Sequence, residues 1–326
     1  MRSSLSAGTK LALFAYNSCP SRIIRSPSDT LTLQDDLNSL GRWTQQKKLS
    51  FNPEKSVHIR LSRKPDRSII PTYYLNGVNI PQAESTKYLG VHIDQSLSWK
   101  IHTGLVVVKA NQRIRFLQSL FPRSCQRARI TFFRSLVLPL LDYCAVAVNS
   151  CKKLLIDSLE GCVKRFLRTL NLGRIPDTSS DERYCHRLRQ LGWQPLFLRR
   201  LKQSLMLAYK LIFNKIPLGD LLFQPYVFPV TAVSAVSGNT RQIGKIMDHP
   251  RAIPLHCQIF NGNGTPISAS TRSFAHRVDR IWNHLPLPPE AYLTVDSFEN
   301  SLESVQWTQL SCVKEYLPDR YLSFFA

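Results

Sequence analysis

Near Trp99 the apolar residues change their spacing, and this change restricts the chain to short strands followed by helices. Before it, Val57, Ile59 and Leu61 alternate with His58 and Arg60, the period of a half-buried strand. Tyr73-Tyr74-Leu75 and Val78-Asn79-Ile80 flank Asn76-Gly77, two residues that tolerate the positive φ of a two-residue hairpin turn. The run from 88 to 94 closes a small antiparallel sheet of about four strands. One helix comes earlier: Ser28-Asp29 offers a cap, and Leu33, Leu37, Leu40 and Thr44 follow at helical spacing. Lys47 and Lys48 suit its negative end. Residues 1–27 have no regular pattern.

After Trp99, Val106, Val107, Ala110, Ile114 and Leu117 mark a helical face. A second helical segment covers 126–148, interrupted by Pro139, and a third covers 152–170 with Leu155, Leu159, Cys162, Val163, Phe166 and Leu170 in register. Helices over 180–191 and 195–214 follow, then a Pro- and Gly-rich stretch and a short helical tail with helices over 274–282 and 295–305. The fold class is α+β. Four regions are expected: 1–98, a helix with short strands; 99–222, helical and basic; 223–269, a long irregular connection; and 270–326, a C-terminal helical region.

The net charge of +21 favours polyanionic partners. It is concentrated in residues 101–215, where twenty-one Lys and Arg face six Asp and Glu; residues 1–100 have fourteen against seven, and residues 216–326 have eight against nine. The candidate phosphate contacts are Arg113, Arg115, Arg123, Arg127, Arg129 and Arg134, then Lys164, Arg165 and Arg168, then Arg199, Arg200 and Lys202. The interleaved aromatics, Phe116, Phe121, Phe132, Phe133, Phe166, Tyr184, Trp193, Phe197 and Tyr209, sit at helical spacing and read as core. Eight cysteines lack a C-x-x-C pair and the eight histidines form no ligand pattern, so no metal site is expected; the thiols read as reduced and buried. Asp35 and Asp36 are adjacent, which on a helix turns them about 100° apart, and they read as a solvated face. The apolar run from 11 to 15 is too short for a secretory core or a membrane span, so no membrane partner is expected.

Three groups of residues carry a resemblance. The first is Leu37, Leu40, Trp43, Leu49, Asn52 and Lys55. The second is Tyr88-Leu89-Gly90-Val91 followed by Leu97-Ser98-Trp99. The third is Phe274, Arg277-Val278, Trp282-Asn283, Leu285-Pro286, Ser297-Phe298 and Leu302. In this order and spacing the chain resembles the end of the palm, the thumb-like region and the C-terminal part of reverse transcriptases from non-LTR, LINE-like retrotransposons of the jockey type. The resemblance implies a palm remnant in 1–98 and a thumb-like domain in 99–222. It implies that Lys55 lies near the leaving phosphate and that the hairpin Tyr88, Leu89, Gly90 and Val91 supports the primer strand.

Such polymerases use Mg²⁺ held by carboxylates to clamp the attacking and leaving oxygens. Where the family has an Asp pair before a Thr, this chain has Ala7 and Gly8 before Thr9, and neither offers a side-chain oxygen. The expected role is therefore nonspecific binding of RNA or DNA, a primer-template included, with no cofactor of its own and no catalytic residue. The alternatives are part of an active RNA-directed DNA polymerase, with carboxylates from further sequence or from association with a complete element-encoded polymerase, or a non-functional product.

Overall fold

The computed structural model describes residues 5–62, 71–148, 153–173, 178–213 and 281–310, with Val278, Val313 and the paired dipeptides Gln224–Pro225 and Leu255–His256. Small antiparallel ladders come first and helices dominate afterwards, an α+β chain. Two compact units divide it, Met1–His102 and Thr103–Ala326.

The first unit opens with a hairpin, β1 (Thr9–Phe14) paired to β2 (Asn17–Arg22), where the sequence showed no regular pattern. Its turn holds Ala15 at φ 49°, a conformation that Gly or Asn usually marks, and Pro20 sits within β2. Those residues hid the hairpin. Helix α1 (Pro27–Gln46) starts two residues before the expected cap: Ser26 donates its N–H and hydroxyl to Asp29 Oδ2, both at 3.2 Å. Leu37 and Leu40 then pack with Leu11 and with Tyr73, Leu75 and Ile80 from the hairpin β3 (Tyr73–Leu75) and β4 (Val78–Ile80). Gly41 permits that approach, because a Cβ there would meet Asn76 Oδ1 at 2.2 Å. Gln34 fixes it with two amide bonds of 2.8 Å to the N–H and carbonyl of Tyr74.

Asn76 and Gly77 take φ 52° and 78°, as the hairpin signal requires. The next hairpin, β5 (Ser85–Tyr88) and β6 (Val91–Asp94), turns through Leu89 at 47° and Gly90 at 83°. The strands do not merge into one sheet. Each hairpin is a separate two-stranded ladder. Residues 57–61 form no strand either; only His58 makes a bridge, to Gln82, and Val57 and Leu61 face solvent. Alternation signalled a strand, but of that apolar face Ile59 alone is partly covered.

In the second unit, α2 (Lys100–Leu120), which begins at the end of the first, buries Val106, Ala110, Ile114 and Leu117. α3 (Gln126–Phe132) widens into a π-helical turn, Phe133–Val137, before α4 (Leu138–Asp142) and α5 (Ala145–Val148). Pro139 has no N–H to donate to the carbonyl four residues back, so the interruption falls upstream of the proline rather than at it. α6 (Lys153–Leu167), α7 (Ser180–Gln190) and α8 (Leu196–Ile212) complete the bundle. Phe133 and Phe166 stack at 3.9 Å in its centre, with Trp193 at 5.7 Å from Phe133. The core reading holds for Phe133, Phe166, Tyr184, Phe197 and Tyr209, whereas Phe116 and Phe132 are exposed.

α9 (Val295–Glu303) starts at Thr294, whose hydroxyl accepts the Ser297 N–H at 3.0 Å. The C-terminal signature residues pack into the same core: Val278, Trp282, Leu285, Phe298 and Leu302 are buried. Tyr209 of α8 donates to the Tyr292 carbonyl at 2.8 Å. The expected helix over 274–282 and the irregular region 223–269 lie largely outside the described residues, as do Phe274 and Arg277. Cys162 and Cys185 are buried as expected, while Cys19 and Cys125 are exposed. No described helix is long and apolar enough to cross a membrane.

Candidate nucleic-acid interface

Ala7 and Gly8 form an exposed turn leading into β1, and polar groups occupy its surroundings. Asp36, which sequence placed on a solvated face, is only 2% exposed. Its carboxylate accepts the Ser6 N–H at 2.8 Å and the Thr9 hydroxyl at 2.6 Å. Helix geometry turns it inward while Asp35 stays outside. Arg22 donates to the Ala7 carbonyl and to Thr9 Oγ1, each at 3.0 Å, and pairs with Asp29 at 3.1 Å. A Cβ on Gly8 would stand 3.6 Å from that guanidinium. The turn does not fit Mg²⁺: it offers a cation where the ion would sit, and the nearby carboxylates are spent on N–H and O–H donors. Among the described residues, no group of three or more His, Cys, Asp or Glu side chains converges on a metal position.

Lys55 is exposed at the end of a single 3₁₀ turn, Pro53–Lys55, that packs beside β4. Asn52 starts the turn by accepting the Glu54 and Lys55 N–H groups at 3.0 and 3.3 Å. The hairpin Tyr88, Leu89, Gly90 and Val91 is the β5–β6 turn, with Val91 buried. After it, Asp94 gathers the N–H and hydroxyl groups of Ser96 and Ser98 at 2.6–3.1 Å. Burial raises its pKa, yet these donors outweigh burial and hold the carboxyl below the ordinary aspartate range. Leu97 and Trp99 are pinned at φ 51° and 60° beside it, so the Leu-Ser-Trp signature is the turn that leads into α2.

The twelve basic candidates separate by burial. Arg113, Arg115, Arg123, Arg127, Arg134, Arg165, Arg168 and Arg199 are exposed. Arg113 donates to the Leu136 carbonyl, and Arg199 pairs with Asp142 at 2.6 Å. Three face inward, which corrects their placement among phosphate contacts. Arg129 is 4% exposed and donates to the carbonyls of Gln118, Phe121 and Thr169, closing the ends of α2 and α6 whose last carbonyls lack helical partners. Arg200 is buried near Glu160. Lys202 is buried, pairs with Glu303 at 2.8 Å and lies 5.9 Å from the Trp307 ring centroid. Lys164 is half-buried and pairs with Asp181. A charge count along the chain does not distinguish these roles, because burial comes from helix packing.

Glu160 is fully buried. It accepts the Tyr184 hydroxyl at 2.5 Å and the Phe197 N–H at 2.8 Å. Burial pushes its pKa up to about 7, against the pull of those donors and of the Lys164 and Arg200 charges.

Two cations that sequence did not single out, Arg183 and Arg187, join Lys164 and Arg168 around a cavity of about 230 Å³ between α6 and α7. Their signal was present as spacing: 164 and 168, like 183 and 187, are four apart and share a helix face. Burial, then the Arg168 and Arg183 charges, lower the Arg187 pKa from the ordinary arginine value.

Comparison with curated proteins gives a match at 27% identity over 114 residues to a probable RNA-directed DNA polymerase from transposon BS of Drosophila melanogaster. The match covers 34% of this chain and 13% of that protein, so the chain spans a small part of its relative. It supports a reverse-transcriptase-related origin. No family model matches, and no solved structure matches.

Proposed function

We propose that this chain is a reverse-transcriptase-derived protein of a non-LTR retrotransposon that binds RNA or DNA without sequence preference and does not polymerise. The carrying observation is the partition of charge in the helical unit. Arg115, Arg123, Arg127, Arg134 and Arg165 extend into solvent, while four acids among the described helical residues are engaged by other groups. Asp142 pairs with Arg199, Asp181 with Lys164, Glu182 with the Ser179 N–H, and Glu160 is inside. Phosphates meet exposed guanidiniums, and Phe116, exposed directly after Arg115, gives a flat face for a base. The closed turn at Ala7 and Gly8 supports the absence of polymerase chemistry in this segment. Lys55 and the Tyr88–Val91 turn would then retain position without a reaction to serve.

The test is fluorescence anisotropy of the full chain with a labelled RNA–DNA primer-template, from about 50 to 200 mM salt. Contact with ~6 phosphates weakens binding by about a thousandfold across that range. Absence of any affinity at the low-salt end defeats the reading, and magnesium-dependent primer extension defeats its non-catalytic half.

A further inference from the structure

The pairs Lys164/Arg168, the second residue just past the end of α6, and Arg183/Arg187 on α7 each place like charges four residues apart, an arrangement that costs ~0.2–0.5 kcal/mol on a helix even in isolation. The fold then points both pairs into one cavity. Lys164 is answered by Asp181 and by the Tyr184 ring, 5.1 Å from its centroid. Arg168 Nη2 donates only weakly to Ser180 Oγ, at 3.3 Å. Arg187 Nε is buried with no hydrogen-bond partner among the described residues. Glu182, the other acid at the start of α7, turns back on its own helix: it accepts the Ser179 N–H at 3.0 Å, while its own N–H donates to Ser179 Oγ at 3.2 Å. Mutually repelling guanidiniums around a partly enclosed space are what an anion would neutralise.

We propose that this cavity is a phosphate site, gripped by Arg168, Arg183 and Arg187 with the Ser180 hydroxyl as a further donor. Guanidinium forks match phosphate oxygens in pairs. Ser180 is the first residue of α7, so the positive end of that helix adds to the field. The volume is below the ~300 Å³ at which small-molecule pockets begin, which suits one phosphate group rather than a whole nucleotide. The site deepens the nucleic-acid reading by naming where one backbone phosphate is seated.

The experiment uses the full chain, its Arg183→Gln and Arg187→Gln variants and Lys47→Gln as an exposed control outside the basic helical surface. Melting temperature is read with and without millimolar inorganic phosphate at constant ionic strength, and anisotropy with a labelled oligonucleotide. Phosphate is expected to raise the wild-type melting temperature by a few degrees and to leave both cavity variants unmoved. Without phosphate, Arg187→Gln is expected to melt higher than wild type, because a repelled, half-buried cation is gone; a structural arginine would do the opposite. Oligonucleotide affinity is expected to fall about tenfold in either cavity variant and much less in Lys47→Gln.

Loss of oligonucleotide affinity without a response to free phosphate assigns the site to a phosphodiester. A phosphate response removed by the variants, in a chain that binds no oligonucleotide, keeps the site and ends the nucleic-acid reading. Oligonucleotide binding unchanged in both variants, with no phosphate response or one that they retain, overturns the site alone. Should Arg187→Gln melt lower or fail to fold, Arg187 is structural and leaves the site, and the exposed Arg183→Gln then decides whether phosphate binds there.

Discussion

Among the described residues, six apolar side chains form the buried cluster of Met1–His102, whereas thirty-seven form that of Thr103–Ala326. The smaller cluster leaves Phe14, Ile23, Leu31, Leu61 and Tyr74 on the surface and relies on polar clamps: Asp36 on residues 6 and 9, Gln34 on Tyr74, Asp94 on two serines. The larger one buries far more apolar surface, although Val108, Phe116, Tyr143 and Leu154 stay exposed. Hydrogen bonds contribute about 1 kcal/mol net each, while a buried Leu or Phe contributes ~1.5–3 kcal/mol. The first unit should therefore be the softer, and native-state hydrogen exchange should protect α6 and α8 more than α1 and the β3–β4 hairpin.

The largest expected effect is in the helical core. Phe166→Ala removes a ring stacked on Phe133 and should cost ~3–5 kcal/mol, read by chemical denaturation. A loss below ~1 kcal/mol would show that this core is loosely packed and would erase the contrast. Next is Arg129→Met, at about 2–4 kcal/mol, since it strands carbonyls at two helix ends. That loss would sharpen the comparison by showing one polar clamp inside the apolar unit; its neighbour Arg127→Met should leave stability within ~0.5 kcal/mol.

Acid and base should separate the units by sign. Glu160 has its folded pKa raised to about 7 from 4.5, so it contributes stability that is complete below about pH 4.5 and lost as pH rises toward 7. The loss is on the order of 2–3 kcal/mol and should flatten in Glu160→Gln, measured by denaturation at pH 5 and 8. Asp94 is shifted the other way, so its contribution is present above its ordinary value of 3.8 and is lost as pH falls through the lowered folded value. Melting curves that move together across both ranges would break the separation.

Asp36→Ala should cost ~1–3 kcal/mol, confined to the first unit, with faster exchange at Ser6 and along β1. Smallest in stability is Phe116→Ala, within ~0.5 kcal/mol because the ring is 58% exposed. Its signature should instead be a five- to tenfold weaker grip on single strands, about 1 kcal/mol, by anisotropy. An unchanged affinity would remove Phe116 from the interface.

The sequence by itself determined the passage from short strands to helices near Trp99, the hairpin at Asn76-Gly77, the apolar faces of α2, α6 and α8, and the concentration of charge in the middle third. These are local properties, written in spacing of 2 or 3.6 residues and in a count. The hairpin β1–β2 escaped because its exposed turn carries Ala15, not Gly or Asn, at the positive-φ position, and the strand over 57–61 shrank to a single bridge because a period says nothing about how long a partner runs alongside. Only the tertiary structure decided which charges look outward. Arg127 and Arg129 are two residues apart, and helix rotation sends one to solvent and the other onto the carbonyls of Gln118, Phe121 and Thr169. Likewise, Asp35 meets water and Asp36 meets residues 6 and 9. The cavity between α6 and α7 arises from two helices brought side by side, a juxtaposition that depends on packing distant in sequence.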